Sequence, residues 1–535
     1  MSILSFNFIV FLAAALLVYY LAPRKYQWIA LLVISYAFFL LASLRTAIFI
    51  LITTAMTFFA GRWIGKINDE FAVEVANYKG PNPKITREEK KAIQAKEDKR
   101  KRVIVVLTLV LNFGILIGLK YINPIVDVMN GFCRLVGLRY EIPTLSILVP
   151  LGISYYTFQA MGYIIDLYRR KYQPEKNIAH FALFVSFFPQ LIQGPISRYN
   201  EFNGQLFEPH RFSATNLRHG AELAVWGLFK KLVISDRLAI VTTMVFGNPE
   251  TYGGYYLLIG TIMSIIRIYT DFSGGIDITR GVAEMFGIVM PENFTQPFFA
   301  RNFSDFWRRW HITMNQWWRD YIFYPLTLSR PLQKFGKSMR KVVGDNFSKK
   351  LPILIAVIIC RIINAIWHGA SMHSILSGAY YGLVLALSFY FEPHIVKLTK
   401  KLKIRTECLS WKIFQCVRTF VVFGFPYLFT GAKTFKSAFY NLKSLFVVRN
   451  PWILFDGSLF QLGVSEHQLR IVSVSLLVLL VISCLKEKGL SIRDELDKQN
   501  IVFRGLIYLL FIVAIILYGV YGSGYNASAF LYQNI

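Results

Sequence analysis

LPILIAVIICRIINAIWHGAS, residues 351–371, is the stretch whose reading decides the fold. It runs apolar from Leu351 to Trp367 and then ends on His368, Gly369, Ala370 and Ser371. A run close to the roughly 20 residues that cross a bilayer reads as a spanning helix. Comparable runs recur at Phe6–Leu21, Trp28–Leu44, Val103–Leu119, Ile471–Leu485 and Leu506–Tyr521. The 535 residues are 55% hydrophobic and only 17% charged, against about 25% charged in soluble domains. Mean hydropathy is +0.44. These features predict an all-α polytopic membrane protein. They predict one integral-membrane domain over residues 1–535, with roughly 11 spans. The first run lacks a basic leader and a cleavage site, so it reads as a retained helix.

Net charge is +28. The cations sit in short segments between apolar runs, which is the pattern of cytoplasmic loops rather than of a nucleic-acid-binding surface. Residues 65–102 form the longest polar stretch, ending in Lys99, Arg100, Lys101 and Arg102. This loop is predicted to be cytoplasmic and the N-terminus to lie outside. Its ITREEKKAIQAKEDKRKR part carries acids four residues ahead of bases, so it should extend the next span as a helix. Residues 330–350 and 397–405 are also basic, hence cytoplasmic. The apolar runs 351–367 and 374–392 between them form a hairpin whose turn holds His368–Ser371. On this reading His368 lies towards the outer half of the membrane, and the stretch around His311 nearer the cytoplasm. Five scattered cysteines with no CxxC pair give no sign of disulfides or of a metal site.

Residues 145–330 are harder to divide. Their apolar runs are short and interrupted by Gly and Pro, as in FVSFFPQLIQGPISRY, TDFSGGIDITRG and PENFTQPFF. Broken helices at membrane depth are tolerated where protein or a wet cavity surrounds them, so short and re-entrant helices are expected. The Gly114/Gly118 and Gly378/Gly382 spacings read as close helix packing. Asp166, Arg169, Gln190, Gln193, Arg198, Glu222, Asp271, Asp277 and Asp305 read mostly as structural pairs inside the bundle.

Of eight histidines, His210, His219, His394 and His467 lie in or beside polar loops, His180 opens an apolar run, and His373 reads as packed or solvent-facing. His311 and His368 differ. FSDFWRRWHITMNQWWRDYIFYPL, residues 303–326, surrounds His311 with Trp307, Arg308 and other Trp and Arg residues. On one helix, Trp307 and Arg308 would each lie a turn from His311. An interfacial helix with an aromatic belt is the plainer reading of that stretch. Asn364 lies one helical turn before His368 and is placed to orient its ring. Imidazoles are costly at membrane depth and mark candidate sites. With a pKa near about 6.5 an imidazole takes up and returns a hydroxyl proton at neutral pH. No P-loop, dinucleotide fingerprint, nucleophile elbow or HExxH occurs.

Several motifs resemble the membrane-bound O-acyltransferases, in particular the bacterial branch of the alginate O-acetylation and teichoic acid D-alanyl transfer membrane proteins. They are VPLGISYYTFQAMGYIIDLYRR (149–170), FFPQLIQGPISRYNEF (187–202), YTDFSGGIDITRGVAEMFGI (269–288), FWRRWHITMNQWWRDYIFYPL and IWHGAS. They occur in the branch's order over about residues 1–390, with 145–390 as the catalytic-motif region. Gln193 and Gly275 depart from the pattern, and YNASAFLYQNI is a weaker likeness at the end.

The resemblance implies a ring of helices around a central tunnel. His368 is then the catalytic histidine and His311 the second site histidine, with Arg308, Asn315, Asn364, Trp307 and Trp367 as substrate-binding candidates. No bound cofactor is implied. The donor would be a cytoplasmic acyl thioester, acetyl-CoA first and an acyl-carrier protein second. The acceptor would be a hydroxyl of a cell-surface polysaccharide, reached directly or through an extracytoplasmic SGNH-type partner protein. A multi-pass protein of the inner (cytoplasmic) membrane follows, with the lipid bilayer as its surroundings. D-alanyl transfer to teichoic acid, a polysaccharide transporter without catalysis, and a scaffold that recruits a soluble transferase are the other readings.

Overall fold

The computed structural model describes residues 2–77, 87–138, 140–146, 148–369, 371–430, 432 and 435–521. The C-terminal YNASAFLYQNI and the Ile85–Thr86 start of the basic segment lie outside the described residues.

The described chain is helical, and it divides into two compact units. The first comprises residues 1–217 and 283–290. Its helices are α1 (Phe6–Leu21), α2 (Gln27–Ser43), α3 (Ala47–Asn77), α4 (Arg87–Lys120), α5 (Ile122–Leu135), α6 (Ile153–Tyr168), α7 (Ile178–Ser186), α8 (Phe188–Gln193) and α9 (Tyr199–Phe207). The predicted extension is present, since α4 starts among the charged residues and runs into its apolar span. Lys101, fully buried, pairs with Glu97 four residues earlier at 2.6 Å. The core is aromatic: Phe188 packs edge-on against Phe11 and Phe286, and Tyr163 meets Phe181 and Tyr199. Helices α7–α9 are short as expected. Phe187 leaves helical geometry between α7 and α8, whose first turn holds Pro189, and Gly194 is extended ahead of Pro195, because proline disfavours a helical residue immediately before it.

The second unit comprises residues 218–282 and 291–535. Its helices are α10 (Ala214–Leu228), α11 (Asp236–Gly247), α12 (Tyr255–Met285), α13 (Phe303–Arg309), α14 (Ile312–Trp318), α15 (Tyr324–Thr327), α16 (Arg330–Ser338), α17 (Arg340–Val343), α18 (Asp345–His368), α19 (Met372–Lys401), α20 (Leu409–Gly424), α21 (Phe435–Val447), α22 (Glu466–Glu487), α23 (Ile492–Asp497) and α24 (Ile501–Tyr518). A π-helical segment, Phe229–Ser235, joins α10 to α11. Its Lys230 and Lys231 are buried, and they pair with Asp277 at 2.7 Å and Asp271 at 2.6 Å on α12.

The TDFSGGIDITRG segment does not break its helix, contrary to the sequence expectation: it lies inside the continuous α12. Its glycines serve close approach instead. A Cβ on Gly274 would lie 2.8 Å from the Gly227 carbonyl oxygen, and one on Gly281 would lie 2.3 Å from that of Gly220. The contact between α10 and α12 is therefore nearly backbone to backbone, which only small residues permit.

Among the described residues seven stretches are long and apolar enough to cross a bilayer, α2 and α3 falling in one of them, and Phe6–Leu21 and Ile178–Gln193 are shorter apolar helices. The predicted hairpin is α18 and α19, its turn at residues 369–371 with Ala370 outside the described residues. A Cβ on Gly378 would meet Ala365 Cβ at 2.5 Å, and one on Gly382 the Ile358 Cα at 2.8 Å. Gly114 and Gly118 behave differently. Nothing lies within 4 Å of a Cβ at either, so this spacing packs no helix of the described chain.

Candidate active site

The His311 stretch is two helices with a corner between them. Asn302 caps α13 by accepting from the Asp305 amide at 2.8 Å. After Arg309 the chain turns extended, and Trp310 forms an antiparallel bridge with Phe294. The Thr295 amide donates to the Arg309 carbonyl, and the Ile312 amide to that of Asn293, each at 3.0 Å. His311 then takes a left-handed conformation, φ 47° and ψ 53°, before α14 begins. The expected single helix placing His311 a turn from Trp307 and Arg308 is corrected: the bridge to residues 293–295 pulls Trp310 out of helical geometry. A non-glycine residue is rarely held left-handed, and such strain concentrates at functional positions.

Two asparagines fix this corner. Asn315 Nδ2 lies 2.6 Å from the Trp310 carbonyl oxygen, 3.1 Å from that of Trp307 and 3.2 Å from that of His311. Asn293, fully buried, accepts at Oδ1 from both the amide and the hydroxyl of Thr313 at 3.0 Å. Its Nδ2 therefore faces His311 Nδ1, 3.1 Å away. Nδ1 lies nearer this amide nitrogen than Oδ1, at 3.1 Å against 3.4 Å, so Nδ1 is read as the acceptor and the ring proton is assigned to Nε2.

His368 ends α18. Its ring centroid lies 6.3 Å from that of His311 and 4.4 Å from that of Trp367. Phe272 of α12 meets His311 edge-on at 4.7 Å. The imidazoles are too far apart for a direct hydrogen bond of about 3 Å, yet close enough for one reacting group to touch both. Charge patterning places the two histidines in opposite halves of the membrane, whereas the structure pairs them.

Arg361 ties the two elements together. From two turns below His368 it donates to Asn315 Oδ1 at 3.0 Å, and its guanidinium lies 4.0 Å from the Trp307 ring centroid. Asn364, one turn below His368, is buried, and its Oδ1 has no hydrogen-bond partner among the described residues; the same holds for Trp307 Nε1. Trp310, Trp317 and Trp318 are buried rather than arrayed as an interfacial belt.

A family model described as MBOAT, membrane-bound O-acyltransferase family, matches residues 175–339. Its match takes in Asn293, the corner at His311 and Asn315. The probable alginate O-acetylase AlgI of Pseudomonas syringae is 32% identical over 318 residues, 59% of this chain and 55% of that protein. Its namesake in Pseudomonas aeruginosa is 31% identical over 379 residues, 70% of this chain and 64% of that protein. The chain belongs to the membrane-bound O-acyltransferase family. The teichoic acid D-alanyltransferase of Bacillus subtilis is 29% identical over 294 residues, 52% of this chain and 68% of that protein. The chain spans less than two thirds of the length of the two alginate relatives.

Within this O-acyltransferase fold the structure brings together His311, His368 and Trp367. Asn315 stands directly behind His311, and Asn364 and Trp307 flank Arg361. It does not bring in Arg308, whose side chain is 69% exposed and pairs with Asp305 at 3.5 Å. Asn293, Phe272 and Arg361 are the residues sequence reasoning missed. Arg361 had a signal, as a lone cation inside an apolar run. Asn293 and Phe272 had only their place in Gly- or Pro-interrupted segments.

Proposed function

We propose that this multi-pass membrane protein is an O-acyltransferase. It moves an acyl group, acetyl first, from a cytoplasmic thioester donor to a hydroxyl of a cell-surface polysaccharide, directly or through an extracytoplasmic SGNH-type partner. The observation that carries this reading is the imidazole pair, one ring buried and held as a single tautomer, the other at a helix end 6.3 Å away. His368 takes the proton from the acceptor hydroxyl as its oxygen attacks the thioester carbonyl. His311 Nε2–H faces the oxygen that becomes negative. The C–S bond then breaks, the thiolate leaves with the proton from His368, and the ester remains. The partnerless Asn364 Oδ1 and Trp307 Nε1 are buried polar atoms that substrate groups would satisfy. The positive-inside pattern supports an inner-membrane location with the 65–102 loop in the cytoplasm and the N-terminus outside.

The test is transfer of label from radiolabelled acetyl-CoA by purified protein, comparing wild type with His368→Ala and His311→Ala. Loss of the base should cost about 10²–10⁴-fold and loss of the oxyanion donor about 10²–10³-fold. Transfer retained by His368→Ala overturns the mechanism. The Bacillus subtilis relative supports a carrier-borne D-alanyl donor as the alternative. Turnover with that donor and none with acetyl-CoA selects it, and polymer flux without turnover of any thioester selects a transporter.

A further inference from the structure

A cavity of about 580 Å³ in the second unit lies outside the histidine pair, between α10, α12 and the α22–α24 segment. This is within the size range of small-molecule sites. Among the described residues its lining carries five cationic side chains against three carboxylates. Most of these charges are already matched. Arg218 pairs with Asp497 at 2.6 Å, Lys230 with Asp277 at 2.7 Å, and Arg280 with Glu292 at 3.6 Å. Lys486 makes no ion pair among the described residues. It stands one residue from the end of the apolar helix α22, and Arg493 lies just beyond on α23.

The lining changes character with depth. Leu479 lies about 10 Å of helix inward from Lys486 along α22, and Phe511 about 15 Å in from the start of α24. These two, with Trp226 and Ile482, form an apolar wall. Charge at the membrane boundary and aliphatic and aromatic surface deeper in is the polarity profile of a phospholipid. An acetyl thioester has too short an acyl group to use such a wall. We propose that this cavity is a binding site for an anionic phospholipid, its phosphate at Lys486 and Arg493 and its acyl chain along Leu479, Ile482 and Phe511. Basic pockets between spanning helices recognise anionic headgroups in this way. The inference is independent of the acyl-transfer reading.

The test uses the full-length protein in nanodiscs of phosphatidylcholine, with and without phosphatidylglycerol, read by native mass spectrometry and thermal unfolding. Retained phosphatidylglycerol and a higher midpoint are expected for wild type. Lys486→Gln should weaken retention about fivefold, and Lys486→Arg should restore it. Equal retention of both lipids, or of phosphatidylglycerol by wild type and Lys486→Gln, overturns the proposal. Stabilisation by inorganic phosphate alone in phosphatidylcholine discs would show an anion site without a lipid and overturn it too. Displacement of phosphatidylglycerol by desulfo-coenzyme A would reassign the cavity to the donor.

Discussion

Asn293 chooses the tautomer of His311, and this is the most consequential single-residue feature of the site. Its Oδ1 accepts twice from Thr313, and its amide nitrogen makes the shorter contact to the ring, 3.1 Å against 3.4 Å from Oδ1. Asn293→Asp keeps the acceptor for Thr313 but replaces that donor with a carboxylate oxygen. The ring would then move its proton to Nδ1 and present an acceptor towards the substrate. The expected outcome is a loss of about 10²–10³-fold in acyl transfer with folding retained. Rate and thermal midpoint measured on the same preparation separate lost chemistry from misfolding. Wild-type turnover by this variant would remove His311 Nε2–H from the mechanism. The two histidines were legible in the sequence because imidazoles at the ends of apolar runs are conspicuous. Asn293 was not, because it lies 18 residues from His311 and its role exists only once the chain doubles back.

At the scale of elements, glycine spacings alone do not say which helices touch. Gly378 sits against the backbone of α18, whereas Gly114 faces open space. Gly378→Ala forces a methyl to 2.5 Å from Ala365 Cβ and should cost about 1–3 kcal/mol through overpacking. Gly114→Ala meets nothing and should be neutral or stabilising by up to about 1 kcal/mol, the helix propensity difference. Thermal unfolding in one detergent compares them. Equal effects would mean that the α18–α19 contact contributes nothing to stability. The hairpin itself was readable from two apolar runs between basic segments. The break at Trp310–His311 was not, since the aromatic and basic residues of 303–326 satisfy a helical pattern and only the bridge to Phe294 interrupts it.

For the whole molecule, charge distribution predicts orientation. The basic ends of the α18–α19 hairpin, near Lys337 and Lys400, should face the cytoplasm, with Ser371 towards the other side. Single cysteines at these positions, in a protein whose five native cysteines have been replaced, should react accordingly. Residue 371 should label with an impermeant maleimide in intact cells, and residues 337 and 400 only after the membrane is opened. Labelling of 337 in intact cells would invert the orientation and put the donor on the wrong side.

The sequence by itself determined the helical membrane class, the hairpin and the two histidines. Each rests on local composition: a run long and apolar enough to span, a block of cations that resists crossing, an imidazole where burial is costly. The tertiary structure alone decided that His311 and His368 form one site, that Asn293 and Asn315 hold the corner between them, and that Arg361 rather than Arg308 is the arginine beside it. Those facts depend on how far each segment climbs and which backbone groups it meets on the way back. A one-dimensional pattern of polarity carries the burial of each residue, but not the register between elements that lie far apart in the chain.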